Sequence, residues 1–267
     1  MKIVVCIKEI LDPDIPSTIF EVDEAANAVK EGVGLRYVIS PFDAQAIELA
    51  LRLRDKVGDC AISLLTLGGE SARTIVKYGL ALGADDAFML IDDAFDGGDS
   101  HVTARALASA IRRIGGADLV LTGRQAADRD AGVVGPGIAE MLELPLVTFA
   151  AEVTVEGRNL VVERALSDAT EIVEVPMPAL VTASHEVGAV RHASLRETMK
   201  AARKPVTVWT ADDLGLTADD LGARGARVTL ERLYVPATDV ACEFVVGDSA
   251  AELAAKLVER LATERLI

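Results

Sequence analysis

The sequence predicts an α/β protein, a parallel sheet with helices on both faces, continued by an antiparallel β extension and a C-terminal arm. Three observations point there. Through the first half, short runs of Val, Ile and Leu alternate with helical patterns, the rhythm of βαβ units. Those runs lack polar alternation, as strands covered on both faces do. After about Pro145 the texture changes to strand–turn–strand, which reads as hairpins.

The expected parallel strands cover residues 3–7, 61–66, 87–91 and 119–122, with a further run at 146–149. The helices between them have recognisable starts. In Ser40-Pro41-Phe42-Asp43, Ser40 is placed to cap, Pro41 suits the first helical position, and Asp43 suits the reciprocal capping site. Residues 45–56 then carry an apolar stripe through Ala46, Leu49, Ala50 and Leu53. Gly68-Gly69-Glu70-Ser71 opens a second helix running towards Gly83. Asp99-Ser100 opens a third over residues 102–114, with Arg112 and Arg113 in the last turn, where they complement the dipole. Beyond Pro145, residues 147–155, 160–165, 171–175 and 179–182 read as antiparallel strands. Residues 191–204 are basic with a helical middle. An acidic, irregular stretch at 212–227 precedes an amphipathic helix over 249–265, with Leu253, Leu257, Val258 and Leu261 on one face.

The chain's 267 residues suffice for one large α/β domain with an extension, and its 51% hydrophobic content can fill a sizeable core. A net charge of −15 and an aromatic content of 4% argue against binding nucleic acid, which needs clustered cations and stacking rings. Cys6, Cys60 and Cys242 are far apart, odd in number and form no C-x-x-C pair, so neither a disulfide framework nor a metal site is expected. No apolar stretch reaches the length of a membrane span, and the first apolar run follows Met1-Lys2 with no leader pattern before it. The expectation is a cytoplasmic protein without membrane insertion.

The most informative stretch is residues 119–136: a buried strand, a turn with small residues, and a helix start. In an open parallel sheet that end of a strand is where nucleotides bind, and free N–H groups at the new helix suit a phosphate. Small residues at 131, 132 and 135 let a ligand approach the backbone. Asp128 and Asp130 suit capping or ribose hydroxyls rather than phosphate. The residues alone leave two readings open, a nucleotide site and a plain βα connection with capping aspartates. No P-loop, G-x-G-x-x-G, H-E-x-x-H or G-x-S-x-G pattern occurs. His101, His185 and His192 are dispersed and read as surface or structural residues.

Four segments, in order and at matching spacing, resemble the beta subunit of electron-transfer flavoproteins. Ile3-Val4-Val5-Cys6-Ile7-Lys8 is similar to that family's first strand. Ser40-Pro41-Phe42-Asp43 is similar to its N-P-F-[DE] segment, with Ser in place of Asn. The loop Gly123-Arg124-Gln125-Ala126-Ala127-Asp128-Arg129-Asp130 resembles its G-[KR]-Q-x-x-D-x-D loop. Arg191-His192-Ala193-Ser194-Leu195, followed by Met199-Lys200-Ala201-Ala202-Arg203-Lys204, resembles its P-R-[YF]-[AP]-[ST]-L…K-A-x-K-K element. The strands ending in Pro178-Ala179-Leu180-Val181-Thr182 are also similar, though Ser167 and Ala169 replace acidic or Gly residues.

The resemblance implies a Rossmann-like domain over residues 1–184, a partner-recognition segment over 185–205, and an arm over 206–267 that packs on an alpha subunit. It implies a nucleotide site at Cys6, Lys8, Ser40, Pro41, Phe42, Asp43, Leu67 and the loop from Gly123 through Arg124, Gln125, Ala126, Ala127, Asp128, Arg129, Asp130, Ala131, Gly132 and Val133 to Val134. The ligand there is AMP in most members and a second FAD in one group, while the redox FAD sits mainly on the alpha subunit. Val134-Gly135-Pro136 resembles the FAD group's V-G-P, so the reading leans to FAD, although that group's preceding Gly, Thr and Gln are replaced. Leu195 alone reads as a minor core or surface residue. By resemblance it enters a pocket on partner flavin dehydrogenases, rimmed by Arg191, Arg196 and Lys200. The implied function is relay of electrons between flavin dehydrogenases and an acceptor, such as a membrane-bound quinone oxidoreductase. Two alternatives stand beside it, a subunit of an NADH-oxidising electron-bifurcating flavoprotein and a free-standing adenine-nucleotide-binding regulatory protein.

Overall fold

The apolar run at the start of the chain forms β1 (Lys2–Cys6), an inner strand of a nine-stranded sheet. Its side chains alternate between two cores, Ile3 and Val5 in one, Val4 and Cys6 in the other. A strand with period two that is buried on both faces has no place for a polar residue, which is why the run shows no polar alternation. The structure, a computed structural model, describes residues 1–237 and 242–267.

After β1 come the short strands β2 (Glu9–Leu11), β3 (Val22–Asp23), β4 (Ala28–Val29) and β5 (Tyr37–Ile39), with β2 and β5 paired antiparallel. Then follow α1 (Pro41–Val57), β6 (Ala61–Leu67), α2 (Arg73–Leu82), β7 (Asp86–Leu90), α3 (Ser100–Ile114), β8 (Leu119–Gly123) and α4 (Val134–Leu142). Buried residues of α1 and α2 share the core of Ile3 and Val5, and those of α3 and α4 share the core of Val4 and Cys6. Asp99 starts α3 as read from sequence, accepting from the N–H groups of His101 and Val102 at 2.9 and 3.1 Å. Its second oxygen accepts from Arg227 and Val228.

Strand β9 (Leu146–Glu156) is shared between two parts of the sheet. Its first residues run parallel to β12 (Ala179–Ala183), and its later ones pair antiparallel with β10 (Asn159–Ala165), which pairs in turn with β11 (Thr170–Pro176). The register slips between Val181 and Ala183, opposite Phe149, whose φ is +61°. Here one expectation is corrected. Residues 179–182 read as another antiparallel strand, yet β12 lies parallel between β8 and β9. All five of its residues are buried, the signature of the sheet's parallel interior rather than of a hairpin. A further helix, α5 (Leu195–Arg203), precedes β13 (Thr207–Trp209), an edge strand parallel to β7 that the irregular tail did not suggest. Trp209 stacks on Phe88 with centroids 4.8 Å apart. The helical turn α6 (Gly222–Gly225) and the terminal helix α7 (Ala250–Thr263) complete the order.

The strand order is β11-β10-β9-β12-β8-β1-β6-β7-β13. The chain moves outward from β1 through β6 to β7, then returns to the other side of β1 with β8. The order therefore reverses between β1 and β8, and such a switch point leaves a crevice beyond the carboxyl ends of the two strands.

Two compact units share the chain, Met1–Glu21 with Val29–Glu231, and Val22–Ala28 with Arg232–Ile267. The first holds the sheet, including β13. In the second, Arg232 pairs with Glu24 at 2.9 Å, and the Ser249 hydroxyl caps α7 by accepting from Glu252 N at 3.2 Å. Leu257 and Val258 of the amphipathic face are about half exposed. Among the described residues, no helix is long and apolar enough to cross a membrane.

Candidate nucleotide-binding site

The switch point is closed by one carboxylate. Asp43, in the first turn of α1, accepts from Lys8 N just past β1 at 2.8 Å and from Gly123 N at the end of β8 at 3.0 Å. It thus ties together the ends of the two strands between which the order reverses. This differs from the capping box read from sequence. Ser40 N already donates to Lys8 O at 2.9 Å, so Asp43 has no capping partner there and turns to the strands. Ser40 occupies the N-cap position and Pro41 the first turn, but the Ser40 hydroxyl caps nothing. Its carbonyl instead accepts from Asp43 N and Ala44 N.

The clasp explains Gly123. A Cβ built there would stand 2.5 Å from Asp43 Oδ1 and 2.7 Å from Phe42 Cβ, so no other residue fits without moving α1. Burial raises the Asp43 carboxyl to about 7, against the two N–H bonds and the Lys8 charge, which pull it down; Asp128 adds to the rise. Burial, with Asp43 nearby, also pushes the Cys6 thiol far up, and its side chain packs in the core on the α3 side.

The loop after β8 folds on itself. Ala126 O accepts from Arg129 N and Asp130 N, Gln125 Nε2 donates to Asp130 Oδ1 at 2.7 Å, and Asp130 has φ +48°. Lys8 Nζ reaches Asp128 at 2.5 Å. Ala127 is half-buried, Arg129, Ala131 and Val133 are exposed, and Gly132 has φ +64°. Arg124 lies over the Phe42 ring at 4.8 Å and the Phe149 ring at 5.7 Å, with His185 Nδ1 3.5 Å from one of its terminal nitrogens. Leu67, at the end of β6, packs half-buried against the core on the α3 side.

The fit to an adenine nucleotide can be judged from the polar groups left over. The buried hydroxyls of Ser40 and Thr66 and the buried Arg124 Nε have no hydrogen-bond partner. All three lie at the carboxyl ends of the strands or just beyond them. A buried polar atom without a partner is costly, and a ligand that supplies one removes that cost. The first N–H groups of α4, at Val134 and Gly135, have no carbonyl four residues back in the helix. These donors suit phosphate or ribose oxygens, and Phe42 offers a ring face.

Sequence reasoning missed Thr66, Phe149 and His185. Thr66 was hidden because it ends an apolar strand. Phe149 comes under Arg124 at a register slip where its backbone is left-handed, which no pattern of residue types announces. His185 follows β12, whose direction was misread.

The residues expected to dock a partner lie elsewhere. Leu195 is the first residue of α5 and 77% exposed, with Met199 one turn on at 59%. Ser194 caps the helix, its hydroxyl accepting from Glu197 N at 3.3 Å. Arg196 is exposed, and Lys200 approaches Glu197 at 3.5 Å. Arg191 is turned inward, to Glu48 at 2.9 Å and Asp55 at 2.9 Å. Burial pushes the Glu48 carboxyl up, but hydrogen bonds from Arg191 and Arg52 outweigh it and hold Glu48 below its usual range.

Comparison with known proteins agrees with this geometry. Residues 31–214 match the electron transfer flavoprotein domain. The chain is 39% identical to the electron transfer flavoprotein subunit beta of Thermoanaerobacterium thermosaccharolyticum, over 100% of both chains. It is 33% identical to the caffeyl-CoA reductase-Etf complex subunit CarD of Acetobacterium woodii, again over 100% of both. With the protein FixA of Azorhizobium caulinodans it shares 36% identity over 88% of this chain and 85% of the other. The chain belongs to the electron transfer flavoprotein family.

Proposed function

We propose that the chain is the beta subunit of a heterodimeric electron-transfer flavoprotein that relays electrons between flavin dehydrogenases and a downstream acceptor, in the cytoplasm. The observation that carries the site is that the buried Ser40 and Thr66 hydroxyls and the Arg124 Nε, at or just past the ends of β5, β6 and β8, have no partner, on the side of the sheet where Asp43 ties the ends of β1 and β8 together. The bound nucleotide is an adenine nucleotide, and the Val134-Gly135-Pro136 start of α4 favours FAD over AMP. Flavin supplies the redox chemistry, while this chain binds, orients and shields it. The segment 185–205 docks partner dehydrogenases through Leu195, and the arm packs on the alpha subunit. A membrane-bound quinone oxidoreductase is an acceptor compatible with this role. A second reading, a subunit of an NADH-oxidising bifurcating flavoprotein, draws on the same V-G-P sequence. Two flavins per heterodimer with NADH oxidation coupled to a low-potential acceptor would establish it.

The test is co-expression with an alpha subunit, followed by nucleotide analysis of Gly132 variants. A bulky Gly132→Phe should obstruct the loop and lower nucleotide occupancy. Gly132→Asn tolerates the left-handed backbone and separates bulk from strain. Full occupancy in a folded Gly132→Phe heterodimer would make the loop a structural turn only.

A further inference from the structure

We propose that Glu48 is a positioning residue for partner docking, holding through Arg52 and Arg191 the segment that presents the outer face of α5. The proposal rests on the reading of α5 as the docking helix. Glu48 sits in the middle of α1 and is 4% exposed. Arg52, one turn on, donates from Nε to Glu48 at 2.8 Å and extends to the carbonyls of Val187 at 2.6 Å and Ala189 at 2.9 Å. From the other side, Arg191 donates to Glu48 Oε2 from its backbone N at 3.1 Å and its Nε at 2.9 Å. Residues 188–194 have no regular structure of their own, so this carboxylate organises them, and they end at the cap of α5.

The far end of α5 is held in the same manner. Lys77 of α2 donates to the carbonyls of Ala201 and Ala202, each at 3.2 Å. Within α5, Ala201 is the residue buried against the core. A helix that lies along α2 with one small side chain fully buried takes much of its orientation from polar anchors at its ends. That leaves Leu195 and Met199 free on the outer face. It also reassigns Arg191: its charge is engaged inside the subunit, and Arg196 and Lys200 remain as rim cations. Removing the Glu48 charge leaves Arg52 without a carboxylate partner and Arg191 with Asp55 alone, in a half-buried place, an unfavourable arrangement that the loose segment relieves by moving.

The experiment uses the heterodimer with its alpha subunit and a flavin dehydrogenase that reduces the wild-type complex. Glu48→Gln, Leu195→Ala and the double variant are compared by steady-state transfer and by amide hydrogen exchange. Each single substitution is expected to raise the half-saturating heterodimer concentration about tenfold at an unchanged maximal rate. The double variant should be no worse than either, because a misplaced Leu195 is already lost to docking. Exchange over 188–203 should be faster in Glu48→Gln and unchanged in Leu195→Ala. Additive effects in the double variant, or unchanged exchange in Glu48→Gln, would overturn the proposal. If Leu195→Ala transfers normally, the docking reading fails. In that case, faster exchange with normal transfer in Glu48→Gln makes the clamp structural only and overturns the proposal too. Should Glu48→Gln not fold, Arg191→Gln, which leaves Arg52 paired with Glu48, takes its place under the same criteria.

Discussion

The crevice between β1 and β8 and the outer face of α5 depart from an ordinary protein surface in opposite directions. The strand ends around this crevice bury polar groups: Asp43 is 6% exposed, Ser40 and Thr66 are fully buried, and the hydroxyls of the last two lack partners. The α5 face exposes apolar groups, while the polar groups behind it are satisfied, with Glu48, Arg52, Arg191 and Lys77 all hydrogen-bonded. Unmet polar capacity in a crevice suits a small polar ligand that stays bound. Unmet apolar area on a rigid helix suits a macromolecule that comes and goes. On the proposed reading, the first region suits a resident group and the second a transient contact.

The contrast can be broken most severely at Gly123. Gly123→Val places branched carbon where Asp43 Oδ1 and Phe42 already stand, and forced overpacking of this kind costs about 1–3 kcal/mol, occasionally more. The expected result in denaturant unfolding is a large loss of stability together with loss of bound nucleotide. An unchanged midpoint would mean that α1 does not lean on the end of β8.

The next effect is a pH dependence. Asp43 is raised from its ordinary 3.8 to about 7, so between those values the folded state holds a proton that the unfolded state has released. Stability from this group is full below pH 4, declines as pH rises towards 7, and is level above, with a steepest slope of about 1.4 kcal/mol per pH unit. Asp43→Asn should lack that slope, so the wild-type-minus-variant difference in stability should fall between pH 4 and 7. A difference independent of pH would show Asp43 ionised throughout.

At the other region, Leu195→Ala should leave the thermal melt and nucleotide content unchanged, since the side chain is 77% exposed. Docking should weaken about tenfold or more, because burying one Leu contributes on the order of 1.5–3 kcal/mol. A melt lowered as for a core Leu would return the residue to the body of the protein. Smallest is the effect of the rim. Arg196→Gln and Lys200→Gln should reduce the association rate with partner dehydrogenases and flatten its salt dependence, with little change in complex lifetime. Stopped-flow mixing at several ionic strengths measures both.

What sequence reveals and hides follows the same division. Strands β1, β6, β7 and β8 were legible because burial on both faces leaves uninterrupted apolar runs. Helices α1 and α3 were legible through Pro41 and the Asp99 cap. The direction of β12 was not, since a buried run carries no mark of whether it pairs with the strand before it or crosses to the sheet's interior. At the site, the loop from Gly123 to Val134 was read by resemblance, but Asp43 was given a local capping role. Its bond to Gly123 spans a separation that no local pattern encodes. The inward turn of Arg191 was hidden for the same reason, because its partner Glu48 lies on α1 and looks like any helical surface glutamate.

The central claim, a nucleotide held at the switch point of a flavoprotein beta subunit, is tested most directly by acid extraction of the purified heterodimer and identification of what is released by mass. The account predicts adenine nucleotide at two equivalents per heterodimer, both as FAD, with one equivalent lost in Gly132→Phe. One FAD and one AMP would place the beta site in the AMP class. A heterodimer that releases a single equivalent, all of it retained in Gly132→Phe, would contradict the claim.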